Sequence, residues 1–149
     1  MKDYVKTNQK VYDRLAGEYK ERIKEYIESD KKILRPFIGY LNRNFAKARV
    51  LELGPGSGLA LFYFDKEGFD TTAIDISKKI ISVSKETSPK TKYLFGDFLE
   101  FDFGKSKFDG IFAKAFIHLF PKKDAVLALR KISSILVPDG AVFIGTTLH

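Results

Sequence analysis

Apolar and polar positions recur along this chain in two rhythms, and the change near residue 49 divides it. Before that point Val5, Tyr12, Leu15, Tyr19, Ile23 and Tyr26 return at three- and four-residue spacing, with lysine and glutamate opposite. That stripe predicts an amphipathic helix over roughly residues 5–28, with Gly17 as a weak point inside it. A second helical pattern turns Leu34, Phe37, Ile38, Leu41 and Phe45 inward, and Pro36 must sit in its first turn or kink it. Residues 1–47 therefore read as a helical cap on the rest of the chain.

From Arg49 short apolar runs alternate with helical stretches. Strands are expected at 49–53, 69–74, 92–95, 108–113 and 141–146. Between them fall a helix over 59–66 with Ser57 as candidate N-cap, and a helix capped by Ser77, carrying Ile80, Ile81 and Val83 and ended by Pro89. A third begins near Pro121 and bears Val126, Leu127, Leu129 and Ile132. Pro138-Asp139-Gly140 reads as a turn. Strand–helix alternation with right-handed crossovers implies an α/β fold, a doubly wound parallel sheet over 48–149, with 1–149 forming a single domain.

Composition narrows the chemistry. The chain has 149 residues, enough for one buried core, and 44% are hydrophobic, within the globular range. Cysteine is absent, so disulfides, thiolate metal sites and a cysteine nucleophile are excluded. The start, Met1-Lys2-Asp3-Tyr4-Val5-Lys6, has no apolar leader core, and no run of about 18 apolar residues occurs, so the expectation is a cytoplasmic protein with no membrane partner. The net charge of +7 is mostly lysine spread along the chain, as in Lys31-Lys32, Lys78-Lys79 and Lys122-Lys123. Without a block of like charge or an arginine strip with interleaved aromatics, it reads as solvated surface rather than a nucleic-acid face.

The chemistry-bearing stretch is Val50-Leu51-Glu52-Leu53-Gly54-Pro55-Gly56-Ser57-Gly58, with Asp75 closing the next strand in Thr72-Ala73-Ile74-Asp75-Ile76-Ser77. A glycine turn at one strand tip lets a ligand approach the main chain, and a carboxylate stands at the next tip. Gly54, Gly56 and Gly58 alone would also suit a plain strand-to-helix turn. Together with Glu52 and Asp75 they suit a nucleoside. A dinucleotide fingerprint would need its third glycine at position 59, which is Leu59, and an acid at 52 would oppose a pyrophosphate.

These residues resemble the class I S-adenosylmethionine-dependent methyltransferases over roughly residues 8–147. The resemblance implies the strand order 3-2-1-4-5 and S-adenosylmethionine as cofactor. It implies that Glu52 helps hold the methionine ammonium, beside the main chain of Gly54, Gly56 and Gly58. Asp75 would accept from the ribose hydroxyls, or serve the helix cap at Ser77. Ile76 would lie on the adenine. In Gly96-Asp97-Phe98, Asp97 would accept from the adenine amine and Phe98 flank it, against a reading as a loop acid beside a core ring. The strand end at Ala113 and Lys114 would sit beside the methyl group. Tyr12-Asp13-Arg14-Leu15-Ala16-Gly17-Glu18-Tyr19 resembles the family's Tyr-Asp-x-x-Ala-x-x-Tyr capping segment, so that Tyr12 and Tyr19 either reach the pocket or pack the helix down. In Phe116-Ile117-His118-Leu119, His118 is the candidate catalytic base, or else a histidine that orients its loop.

The place of an amino-methylating motif reads Ala113-Lys114-Ala115-Phe116, and no cysteine serves cytosine chemistry. A small-molecule acceptor is therefore expected, with an RNA or protein acceptor less favoured. The alternatives are a non-catalytic binding module or a fragment of a larger methyltransferase. Family members continue past the fifth strand, whereas this chain stops at Thr147-Leu148-His149. The expectation is a truncated or minimal form that either pairs its apolar fifth-strand edge with another chain, as in a homodimer, or remains weakly active.

Overall fold

In the computed structural model, which describes residues 1–146, a five-stranded parallel sheet forms the centre. The strands are β1 (Arg49–Leu53), β2 (Asp70–Asp75), β3 (Lys92–Phe95), β4 (Phe108–Lys114) and β5 (Leu136–Gly145), in the order β3-β2-β1-β4-β5. The helices are α1 (Asp3–Glu21), α2 (Ile23–Asn44), α3 (Leu59–Lys66), α4 (Lys78–Thr87) and α5 (Lys122–Ile135), with a 3-10 turn at Ile117–Leu119. The doubly wound order expected from the sequence is the one observed. Thr147, Leu148 and His149, on which the short-form expectation rests, lie outside the described residues.

β1 lies at the middle of the sheet, paired to β2 through Glu52↔Ala73 and to β4 through Glu52↔Phe112. One face packs Leu34, Phe37 and Leu41 of α2 and Leu61 and Phe64 of α3 over Val50 and Phe112. The other packs Ala128, Ile132 and Ile135 of α5 over Leu51, Leu53 and Ile111. Strands buried on both faces read as continuous apolar runs, and β4 is buried from Phe108 to Ala113. Asp109 inside that run anchors the sheet. It accepts from the Arg49 amide at 2.7 Å and from the Arg49 guanidinium at 3.2 and 3.3 Å.

Several boundaries differ from the sequence expectation. The helix expected over 5–28 breaks at Arg22 (φ −95°, ψ 4°), so residues 23–30 belong to α2. No proline or glycine marks the break, and the Arg22 amide still donates to Glu18 at 2.9 Å. The apolar stripe therefore runs through it without interruption. Gly17 stays helical, and Pro36 sits in the interior of α2 on an exposed side. Gly58, with φ +83°, is the N-cap of α3 rather than Ser57, whose Oγ accepts only a long 3.4 Å bond from the Leu59 amide. Ser77 does cap α4, accepting from the Ile80 amide at 3.1 Å.

On α5 the buried stripe is Asp124, Ala128, Ile132 and Ile135, whereas Val126, Leu127 and Leu129 are exposed. Apolar residues on several sides of that helix hid which stripe faces the sheet. Pro138-Asp139-Gly140 is not a separate turn but a bulge within β5. Phe108 pairs with Leu136 and Gly110 with Ala141, and Asp139 takes φ +63° to absorb the extra residues. Beyond the bulge Phe143 stacks on Phe112 at 4.7 Å, while Val142 and Ile144 are exposed.

Candidate functional site

At the carboxyl ends of the strands a cavity of about 330 Å³ opens, lined by β1–β4 tips and covered by α1. Strand-end clefts where the order reverses are the ligand sites of doubly wound sheets. The reversal here lies between β1 and β4.

Glu52 is the penultimate residue of β1, 3% exposed, and its Oε2 has no hydrogen-bond partner among the described residues. Burial pushes its carboxyl well above the usual range, and the nearby Asp30 and Asp75 add to this while Lys114 opposes it. After β1 the chain turns through Gly54 (φ +70°) and Gly56 (φ +54°). The Gly54 amide is tied to the Ile74 carbonyl at 3.0 Å, which holds the turn against β2. A Cβ at Gly54 would lie 3.4 Å from the Phe116 ring and 3.9 Å from Asp75 Oδ2.

Asp75 and Ile76 both line the cavity. Asp75 Oδ1 accepts from the Ser77 amide at 2.8 Å, so one oxygen serves the α4 cap while Oδ2 lies on the Gly54 side. The cap reading of this acid is seen at Oδ1, and Oδ2 is left facing the cavity turn. Burial raises Asp75 to about 7, against the pull of the Ser77 and Ile76 amides. Past β3, Asp97 and Phe98 also line the cavity. Asp97 Oδ1 caps its own turn by accepting from the Leu99 amide at 3.0 Å. Phe98 stands edge-on to Phe116, 5.9 Å between centroids.

α1 supplies the roof. Tyr19 lies against Gly56, and Tyr12 packs beside it with centroids 6.3 Å apart. Burial pushes the Tyr19 hydroxyl up to about 12, helped by Tyr12 and Asp75. The helix is tied down by hydrogen bonds. Lys2 Nζ and Tyr4 OH both donate to Asp124 at 2.7 Å, and Ser77 Oγ donates to Asp13 at 2.5 Å. Asn8 donates to the Leu119 carbonyl at 3.3 Å and Gln9 to the Ile76 carbonyl at 2.7 Å. Hydrogen bonds from Lys2 and Tyr4 hold the Asp124 carboxyl below its ordinary value.

The structure brings Tyr19, Glu52, Gly54, Gly56, Asp75, Ile76, Asp97 and Phe98 to one cavity. It leaves three candidates outside that wall. Gly58 faces α4, where a Cβ would meet Ser84 Oγ at 2.7 Å. Its glycine serves helix packing. Ala113 is fully buried on the α5 face of β4, while its neighbours Phe112 and Lys114 line the cavity. His118 is exposed in the 3-10 turn and does not line the cavity.

Two features escaped the sequence reading. Asp30 of α2 is 9% exposed, pairs with Lys114 Nζ at 2.5 Å and lines the cavity. Its signal was an acid in register with the buried stripe Leu34, Phe37 and Leu41. Lys131 of α5 donates to the carbonyls of Leu99 at 3.2 Å and Phe101 at 2.5 Å, and lies 5.3 Å from the Phe98 ring centre. It braces the loop after β3 from behind, a contact with no periodic signature.

Comparisons with known proteins agree with this fold. The family described as "Methyltransferase domain" matches residues 50–140. An uncharacterized methyltransferase of Alkaliphilus oremlandii is 28% identical over 99 residues, which is 66% of this chain and 45% of the relative. The chain thus spans about half the length of that relative. Among solved structures, magnesium protoporphyrin IX methyltransferase (ChlM) from Synechocystis PCC 6803 with bound SAM superposes with TM-score 0.72 at 14% identity, covering 91% of this chain and 73% of that one. The DhpI-SAM-HEP complex gives 0.69 at 21%, covering 95% and 65%. At these identities the two structures speak for the fold. The family match covers more than half of the chain, and with the strand order and the glycine turn it makes this chain a member of the methyltransferase-domain family.

Proposed function

We propose that the chain binds S-adenosylmethionine and transfers its methyl group to a small-molecule acceptor. The observation that carries this reading is the buried Oε2 of Glu52, which has no partner among the described residues and stands beside the open turn at Gly54 and Gly56. A buried carboxylate oxygen needs a donor, and a ligand bearing an ammonium next to a sulfonium supplies one. In this reading Glu52 takes the ammonium and Asp75 Oδ2 accepts from the ribose. Asp97 and Phe98 hold the adenine with Ile76 on its face, and Tyr19 closes over the methionine end. The cofactor supplies an activated methyl on sulfur, which passes to an acceptor lone pair while the S–C bonding pair stays on sulfur. The protein's share is alignment and exclusion of water, and orientation alone can contribute up to about 7–11 kcal/mol in ideal cases.

Calorimetry with S-adenosylhomocysteine against NADH tests the cofactor. Tight binding of the first and none of the second is expected, and the reverse would overturn the reading. Binding without turnover is the second reading, and the position of His118 outside the cavity favours it. A methyl-release assay across pooled metabolites separates the two. A homodimer through β5 belongs to the same proposal and rests on the exposed Val142 and Ile144. Light scattering tests it.

A further inference from the structure

The strand tips beneath the cavity carry an ordered set of charges. Asp97 follows β3, Asp75 ends β2, Glu52 stands at the end of β1, and Lys114 ends β4. Neighbouring strands lie about 5 Å apart. A nucleoside with an amino-acid tail, laid from Asp97 past Asp75 to Glu52, uses three tips and leaves the fourth. The sign of charge changes at that fourth tip. Lys114 is the one cationic side chain on the cavity wall among the described residues.

Lys114 is also held in place. Its ammonium meets Asp30 Oδ1 at 2.5 Å and lies 5.4 Å from the centre of the Tyr26 ring. Tyr26 and Asp30 are four residues apart on α2, hence on one helix face. An ammonium has three donors, and Asp30 takes one. The side chain keeps 36% exposure, so donors remain for a ligand. The carboxylate at the methionine end has other partners within reach. The amides of Gly56 and Ser57 make no hydrogen bond among the described residues, and Gly56 lies against the Tyr19 ring.

We propose that Lys114, fixed by Asp30 and Tyr26, is the specificity-determining residue for the acceptor, and that it selects a small molecule bearing an oxyanion such as a carboxylate or phosphate group. This rests on the methyltransferase reading above and names its substrate class. Asp30 orients the lysine and offsets part of its charge, so what is offered to an incoming molecule is the ammonium's remaining N–H donors.

The test is binding, read by ligand-detected NMR on the full chain saturated with S-adenosylhomocysteine. The probes are benzoate and phenyl phosphate, with benzamide and benzylamine as neutral and cationic counterparts. Benzoate and phenyl phosphate should bind and the other two should not. Lys114→Met should lose the anions by tenfold or more, Lys114→Arg should keep them, and the affinity for S-adenosylhomocysteine should change less than threefold in both. Lys114→Met leaves Asp30 buried without its partner. The pair Asp30→Asn with Lys114→Met removes both charges, and it should fold and show the same loss. Equal binding of benzamide or preferred binding of benzylamine would overturn the proposal. So would a tenfold loss of S-adenosylhomocysteine in Lys114→Met with anion binding intact, which would assign the lysine to the cofactor carboxylate. If the wild-type chain binds no S-adenosylhomocysteine, the cofactor reading fails. Lys114-dependent binding of benzoate to the unliganded chain then still decides the anion site.

Discussion

The ring of Tyr19 and the main chain of Gly56 face each other so closely that a Cβ at position 56 would lie 3.1 Å from Tyr19 Cε1. A roof helix and the β1 turn meet at that point, and both line the cavity. Gly56→Ala forces a side chain into a left-handed backbone, at about 1–2 kcal/mol, and displaces the ring. Affinity for S-adenosylhomocysteine should fall about tenfold by calorimetry while the chain stays folded. Unchanged affinity would remove this contact from the ligand site.

Gly58 should behave in the opposite way. A Cβ there would meet Ser84 Oγ at 2.7 Å and the Ser84 carbonyl at 2.8 Å, in a residue with φ +83°. Gly58→Ala should destabilise the fold by about 2–4 kcal/mol in urea unfolding, from overpacking and backbone strain together. Ligand affinity per folded molecule should remain. The two variants thus separate a ligand glycine from a packing glycine.

Acidic groups at the site predict a pH dependence of known sign. In the folded chain Asp75 titrates at about 7, and Glu52 is raised as well, both mainly through burial. The folded state therefore keeps protons that the unfolded chain releases near pH 4. The stability these groups contribute is full below about pH 4 and is lost as pH rises towards about 7. The Tm of the unliganded chain should show that decline, and Asp75→Asn should flatten it. A ligand that needs both carboxylates ionised should bind more tightly at pH 8 than at pH 6 and release protons, read by calorimetry in buffers of different ionisation enthalpy. Proton uptake on binding would contradict this assignment.

Asp109 makes a purely structural prediction. It holds the Arg49 amide and guanidinium where β1 begins. Asp109→Ala leaves that amide without its acceptor and should cost about 1–3 kcal/mol in denaturant unfolding. Arg49→Met, which keeps the amide bond, should cost less. Equal losses would place the stabilisation in the guanidinium instead.

Much of this was legible in the sequence because the sheet imposes strong local signals. β3 and the start of β4 fell where apolar runs placed them, and Glu52, Gly54, Gly56 and Asp75 sit where the glycine pattern put them. The break at Arg22 was not legible, since an apolar stripe continues through it without proline or glycine. The buried stripe of α5 was masked by Val126, Leu127 and Leu129, which are exposed although apolar. Gly58 matched the motif by spacing, yet its contact is with Ser84, a helix away. The Asp30–Lys114 pair joins residues 84 positions apart, a proximity that only the packing of α2 on β4 creates.

α1 is lightly seated. Its fully buried side chains are Val5 and Ala16, and much of its remaining attachment is polar: bonds donated by Lys2, Tyr4, Asn8 and Gln9, one accepted by Asp13 and the Lys20–Glu86 pair, beside the ring contacts of Tyr4 with Phe120 and of Tyr19 with Gly56. Such bonds exchange for water at small net cost, whereas an apolar seat does not. Polar bonds of this kind make the helix cheap to detach, and it is also the piece that covers the cavity. Traffic of a bulky nucleoside in and out can proceed by unlatching this single rod while the sheet stays rigid. Its amides should exchange with deuterium well before those of β1 and β4, and a bound nucleoside should slow them.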